Sequence, residues 1–331
     1  MAASSRHLLS RRHLFAGTAL AAAGMTLPKA AFADAPQKGQ QAPGFYRFKV
    51  GDYEVTAIND GTWFLKLNPG FVRNAEIGDV QKALSDAFLA TDAIPIPFTT
   101  LIVNTGKKLI ALDTGTGGML GAMAPQSGTY AANLAAAGID PKSVDAIYIS
   151  HFHPDHINGI KTKDNALFFP NAQINVPATE WAYWMDESNM SKAPEAAQAS
   201  FKNAKRVFGD IADKVQRFEP GKEVESGITS IAAPGHTPGH TAYSIANGNQ
   251  SMLYLADVTN NPYLFVRNPD WQAAFDMDGN QAVTTRKALL DRAAADKMRA
   301  HGYHWPFPAS HYVTKTAKGY DLVPVMWSPQ P

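Results

Sequence analysis

The chain has 331 residues, 45% of them hydrophobic, with 30 basic and 29 acidic residues and no cysteine. That length suits one large domain. The lack of cysteine excludes disulfides and thiolate ligands, so any metal site is built from nitrogen and oxygen.

Residues 1–33 read as an address rather than as part of the fold. Arg11 and Arg12 in SRRHLF precede a mild apolar stretch from Ala16 to Leu27, and Ala31-Phe32-Ala33 gives a small-x-small cleavage site before Asp34. The paired arginines predict export of the folded protein by the twin-arginine route, to the periplasm or beyond. Gly17, Thr18 and Gly24 interrupt the apolar stretch, so it makes a poor anchor, and the processed protein is expected off the membrane. Removing Arg6, Arg11, Arg12 and Lys29 leaves 26 basic against 29 acidic residues, a balance of −3. A mildly acidic surface argues against nucleic acid as the main partner.

Residues 34–43 are polar and rich in Pro, Gly and Gln, and predict a flexible lead-in to a single domain over 44–331. Tyr46–Val50 and Tyr53–Ile58 alternate around Gly51-Asp52, the pattern of a hairpin. Asn59–Thr62 then predicts a turn, and Trp63, Phe64, Leu65 and Leu67 follow with no helical register. A helix is predicted over Gln81–Leu89. Thr99–Asn104 and Leu109–Asp113 predict a second hairpin, which ends in Asp113-Thr114-Gly115. Gly117–Gly128 reads as a loose loop, and Thr129–Ala137 as an Ala-rich helix stopped by Gly138.

An apolar, β-branched run from Val144 to Ser150 predicts a buried strand. Directly after it come His151, His153, Asp155 and His156. In extended chain alternate residues share a face, so His151 and His153 can address one point. Asp155 and His156 lie beyond Pro154, where the chain turns, and can address a second point nearby. Imidazole nitrogens and carboxylate oxygens are ligands for Zn, Mn, Co or Fe. One loop cannot close such a site, so other loops must supply partners.

The later elements offer them. Ala172–Val176 reads as a strand, Glu180–Met185 as a short helix carrying Trp181 and Trp184, and Pro194–Val215 as a long helical stretch. Ile228–Ala232 reads as a strand running into PGHTPGH, with His236 and His240. Thr241–Ile245 and Met252–Ala256 are strands, the second ending at Asp257. Gln281–Ala300 has helical spacing and leads to Gly302-Tyr303-His304. His301 reads as a surface residue. Strands followed by helices, twice over, suit an α+β fold with two sheets face to face and helices outside, an αββα sandwich.

HxHxDH after an apolar strand resembles the metal signature of the metallo-β-lactamase superfamily. LIVNTGKKLIALDTG, GHTPGHTAY, MLYLAD and the terminal KGYDLVPV resemble its methyl parathion hydrolase family. The resemblance implies two divalent ions per chain, zinc first among the candidates. It assigns His151, His153 and His236 to one ion, and Asp155, His156 and His304 to the other, with Asp257 bridging. It places Asp113 and His240 behind the ligands, as supports.

The same resemblance implies a hydrolase in which a hydroxide held between two ions attacks a carbonyl carbon or phosphorus, with Asp155 and Asp257 handling the proton. The superfamily's β-lactamases carry Cys or Ser where Asp257 stands, whereas its hydrolases of esters, lactones and phosphotriesters carry Asp. Trp63, Phe64, Trp181 and Trp184 are the candidate pocket walls, suited to a small neutral aryl-bearing substrate. The same apolar segments could instead serve a homodimer interface. Two other readings share the resemblance: a mononuclear iron oxygenase of persulfides, and a periplasmic metal-binding protein without turnover.

Overall fold

The computed structural model describes residues 35–331. The export signal read from residues 1–33 lies outside the described residues. Residues 35–43 are exposed and carry neither helix nor strand, and Gln41–Pro331 form one compact unit.

In the first sheet seven strands are hydrogen-bonded in chain order: β1 (Phe45–Val50), β2 (Tyr53–Lys66), β3 (Ala93–Asn104), β4 (Leu109–Leu112), β5 (Ala146–Tyr148), β6 (Gln173–Pro177) and β7 (Val215–Phe218). The strands β1 to β4 pair antiparallel. From β4 to β7 the pairing is parallel, and parallel neighbours need crossovers. Helix α1 (Ile77–Asp86) lies between β2 and β3, and α2 (Tyr130–Ala136) crosses from β4 to β5. The one-turn α3 (Pro154–Ile157) follows β5. Helices α4 (Ala178–Trp184), α5 (Glu187–Lys192) and α6 (Glu195–Phe208) cross from β6 to β7.

The second sheet holds β8 (Glu223–Glu225), β9 (Ile228–Ala232), β10 (Thr241–Asn247), β11 (Gln250–Ala256), β12 (Arg299–Gly302), β13 (Ser310–Lys315) and β14 (Tyr320–Pro324). Its parallel pair, β11 with β12, is bridged by α7 (Pro262–Phe265) and α8 (Gly279–Ala295).

Alternation along the strands sorts the side chains into layers. Val55, Leu101, Val103 and Leu112 of the first sheet meet Ile228, Tyr243, Ile245 and Tyr254 of the second in a shared core. Their neighbours Ile58, Ile102 and Ala111 face the other way, against Leu134 of α2 and Phe201 and Phe208 of α6. On the far side of the second sheet, Ala242, Leu253 and Leu255 pack on Leu289, Leu290 and Ala293 of α8. The result is the αββα sandwich predicted from the order of elements.

Several boundaries differ from the sequence reading. Asn59–Thr62 is not a turn between elements but an irregularity inside β2, where the register with β3 shifts. Asn59 Oδ1 accepts from Gly61 N at 2.9 Å, and Gly61 takes φ +92°, which a side chain would strain. Trp63 and Phe64 therefore continue a strand and point to opposite faces. Helix α1 starts at Ile77, earlier than predicted, and the chain leaves it through Phe88 at φ +58°. The helical stretch predicted to Val215 stops at Phe208, and Val215 opens β7. The helix predicted to Ala300 stops at Ala295, and Lys297, at φ +50°, reverses the chain into β12. His304 is thus delivered by a strand end, not by a helix end.

Candidate metal centre

The seven predicted ligands follow strand ends of the two sheets, five on loops and Asp155 and His156 on the single turn α3. The loop after β5 carries His151 and His153 in extended chain. Pro154 opens α3, its missing N–H costing nothing at a first helical position. That single turn places Asp155 and His156. The loop between β9 and β10 brings His236, the end of β11 brings Asp257, and the turn after β12 brings His304.

Their atoms fall into two groups. In the first, His153 Nδ1 lies 3.1 Å from His151 Nε2 and 2.9 Å from His236 Nε2. Asp257 Oδ2 closes it, 3.3 Å from His236 Nε2. In the second, Asp155 Oδ2 is 3.5 Å from His156 Nε2 and 3.6 Å from His304 Nε2. Asp257 belongs to both, with Oδ1 3.2 Å from His156 Nε2 and Oδ2 2.9 Å from His304 Nε2.

The far side of each ring decides what the near side offers. His156 Nδ1 donates to Asp113 at 2.8 Å, His236 Nδ1 to Asp276 at 3.0 Å, and His304 Nδ1 to the Pro97 carbonyl at 2.9 Å. Ser150 Oγ gives its proton to Asp113 at 2.7 Å, so it accepts from His151 Nδ1 at 3.0 Å. A neutral ring that donates from one nitrogen presents a bare lone pair at the other. In their neutral forms these four imidazoles turn lone pairs, beside two carboxylates, toward one shared space. Among the described residues, His156 Nε2 and Asp257 Oδ1 are buried without a hydrogen-bond partner. Such a donor set fits divalent cations and little else.

The buried charges shift one another strongly. Burial acts to neutralise Asp257, but His304 and His156 hold its carboxyl well below the usual range. Burial likewise opposes a charged His156, yet Asp257, Asp155 and Asp113 push its pKa well above the usual value. Burial and the adjacent His236 push His153 down to about 3.

The supports are as specific as the ligands. Asp113, buried at φ +60°, also accepts from Ser150 N and from the Tyr254 hydroxyl, both at 2.7 Å. His240 donates from Nδ1 to the Ala233 carbonyl and accepts the Asp257 N–H at Nε2, each at 3.1 Å, which fixes the backbone of Asp257. Two supports escape the sequence reading. Asp276, held by Arg286 at 3.1 Å, orients His236. Glu180 is buried and accepts four hydrogen bonds, from Phe152 N, Trp184 Nε1, Thr237 Oγ1 and Gly239 N. Neither stands in a motif, so only the folded contacts reveal them. His301, read as a surface residue, is buried between Ser310 Oγ and the Thr99 carbonyl.

A cavity of about 260 Å³ opens over the ligands. Trp63, Ile96, Phe98, Leu120, Met123 and Phe275 form its walls, and His153, Asp155, His236, Asp257 and His304 its base. Of the predicted walls only Trp63 is there. Phe64, next in the strand, faces outward and is 55% exposed. Trp184 is buried behind His153 and tied to Glu180. Trp181 packs on Phe152 and Phe208, with Arg217 over its ring. Both tryptophans sit on α4, whose inner face belongs to the helix layer. The missing walls come from β3, from the loose Gly117–Gly128 loop and, for Phe275, from the segment between α7 and α8.

The family model described as the metallo-beta-lactamase superfamily matches residues 96–304, which span the whole ligand set. The chain belongs to the metallo-β-lactamase superfamily. Among solved superfamily structures it is similar to AidC, described as a dizinc quorum-quenching lactonase, with 29% identity and a TM-score of 0.80 over 86% of this chain and 98% of that one. It is equally similar in shape to the hydrolase AbOPH, 27% identical, TM-score 0.80, over 87% of this chain and 100% of that one. A probable metallo-hydrolase of Mycobacterium tuberculosis is 26% identical over 176 residues, 47% of this chain. The chain spans only 55% of the length of that relative.

Proposed function

We propose that this protein is an exported hydrolase of aryl esters and lactones that works with two divalent metal ions, zinc first among them. Aryl phosphotriesters such as methyl parathion are proposed as a secondary activity. The observation that carries this is Asp257, one carboxylate whose two oxygens lie against ligand nitrogens of both groups. A mononuclear site has no use for that arrangement. The likeness to a dizinc lactonase over nearly the whole of its chain supports the same class.

When bound, two divalent ions supply Lewis acidity, lowering the pKa of water and polarising a carbonyl or phosphoryl oxygen. His151, His153, His236 and Asp257 would hold one, and Asp155, His156, His304 and Asp257 the other. The remaining work falls to the chain. The apolar walls bury the acyl or aryl part of a neutral substrate and exclude bulk water. Asp155 is the more open carboxylate, 17% exposed against 4% for Asp257. It faces the cavity and is placed to take a proton from attacking water and pass it to the leaving oxygen. Asp113 and Asp276 keep the imidazoles of His156 and His236 in one tautomer.

The test is a substrate panel on metal-loaded protein, with and without chelator: p-nitrophenyl esters, an aromatic lactone, methyl parathion and a β-lactam. Esters or lactones should lead, and chelation should abolish turnover. A β-lactam preferred over all others would overturn the reading. Elemental analysis should find about two ions per chain; a single tightly held iron would favour the oxygenase instead.

A further inference from the structure

Tyr303 meets every ligand of the second group without being one. It is fully buried, directly after β12. Its hydroxyl donates to the Asp155 carbonyl at 2.5 Å. Its ring lies against the His156 imidazole, with centroids 3.9 Å apart and planes 33° apart. Its N–H donates at 3.3 Å to the carbonyl of Ala256, the residue before Asp257. His304 follows it in the chain. Among the described residues no hydrogen bond or ring contact joins Tyr303 to His151, His153 or His236.

Packing alone would be served by phenylalanine, so the hydroxyl calls for a reason. A helix cannot satisfy its own last carbonyls, and α3 is a single turn. Four residues beyond Asp155, where the next helical donor would stand, Gly159 N turns away to the Gly115 carbonyl at 3.1 Å. The Tyr303 hydroxyl fills the place of that donor. It reaches across from the second sheet to the turn that follows β5 of the first. We propose that Tyr303 is the positioning residue of the second metal: its hydroxyl holds the turn that carries Asp155 and His156, and its ring holds the plane of His156. Tyr303 then governs affinity at the second group and leaves the first alone. This rests on the two-metal reading above. Without the hydroxyl the Asp155 carbonyl loses its donor and the turn is free to shift. The bond to Ala256 is made by the backbone and survives a change of side chain, so Asp257, shared by both groups, keeps its place.

The test is Tyr303→Phe, which removes the hydroxyl and keeps the ring, made in two backgrounds. In His236→Ala the ion that remains is held by the second group, and in His304→Ala by the first. Zinc affinity is measured by competition with a chromogenic chelator, and circular dichroism of the zinc-loaded chains reports the fold. Tyr303→Phe should loosen zinc about 10–100-fold in His236→Ala and leave the affinity of His304→Ala unchanged. p-Aminophenylalanine at position 303 carries an N–H donor at the same reach and should restore the affinity. Equal losses in both backgrounds overturn the assignment, as does no loss in His236→Ala. A Tyr303→Phe chain that no longer folds overturns it too, because the hydroxyl then serves the fold rather than a metal. Wild-type protein that takes up a single zinc overturns the two-metal reading and this proposal together, whereas two zincs with equal losses overturn this proposal alone.

Discussion

Asp257 touches more of the centre than any other ligand, reaching His304, His156 and His236 within 3.3 Å. In the proposed two-metal centre it would also offset the repulsion between the cations. Asp257→Ala should therefore lose at least one metal equivalent and most turnover, read by elemental analysis beside an ester assay. Asp113 acts one step back, through Ser150 and His156. Asp113→Ala should keep the fold of the loop but weaken metal affinity roughly 10–100-fold, measured by competition with a chromogenic chelator. If Asp257→Ala kept both metals and full rate, its bridging role would be wrong. The contrast between these two residues and Glu180 or Asp276 marks what a sequence can say about a site. HxHxDH, the GHTPGH turn and the Asp at the end of MLYLAD are legible because the chemistry is local: ligand types at fixed spacing beside a strand end. Glu180 and Asp276 are single acids whose partners lie far along the chain, 59 residues away for Glu180 and Gly239 and 40 for Asp276 and His236. No spacing announces such pairs.

Among elements, α4 does something its aromatic sequence hides. Its Glu180 ties two ligand loops together, taking Phe152 N at 3.0 Å from the loop that carries His151 and His153, and Gly239 N at 2.8 Å from the loop that carries His236. Burial pushes this carboxyl up, and the donated hydrogen bonds pull it back. Glu180→Gln keeps the shape but replaces an acceptor oxygen with an amide that confronts N–H donors. The variant should lose about 1–3 kcal/mol of stability and bind the first metal more weakly, because His153 and His236 are no longer clamped. Thermal melts of the chelated protein would report the first effect, and metal titration the second. Unchanged metal affinity in a folded Glu180→Gln would show that the clamp serves stability alone. The same scale explains which elements are readable. The long strands β2, β3, β10 and β11 carry enough alternation to be recognised, whereas β7, β8 and β12 hold three or four residues each and cannot show a period. Val215 of β7 and Arg299 and Ala300 of β12 fall within predicted helices, since their flanking Lys and Ala residues favour helix on propensity alone. The pocket misleads for a related reason. Aromatic residues on α4 are as apolar as those on β2 and β3, and only the layer order tells which face the cavity.

For the whole molecule, a loaded centre would be a cross-link. His151, His153, Asp155 and His156 come from the first sheet, and His236, Asp257 and His304 from the second. Metals held between them would fasten the two halves of the sandwich at one edge of the shared core. A ligand that binds the folded state alone stabilises it by RT ln(1 + [L]/Kd), about 2.7 kcal/mol at a hundred times Kd. In a domain of this size each kcal/mol moves Tm by roughly 2–4 °C. Stripping the metals should then lower Tm by several degrees at pH 8. The pH dependence has a definite sign. Metals need neutral imidazoles, whose ordinary pKa is about 6.5, so protons compete with the metals as the pH falls. The metal-dependent part of the stability is present at alkaline pH and is lost as the pH falls through the pKa values of the ligand imidazoles, the raised His156 among them. Melting curves of the metal-loaded and chelator-treated protein should lie apart at pH 8 and converge toward pH 5. Coincident curves at pH 8, on protein shown by elemental analysis to differ in metal content, would mean that the centre binds metal without fastening the sheets.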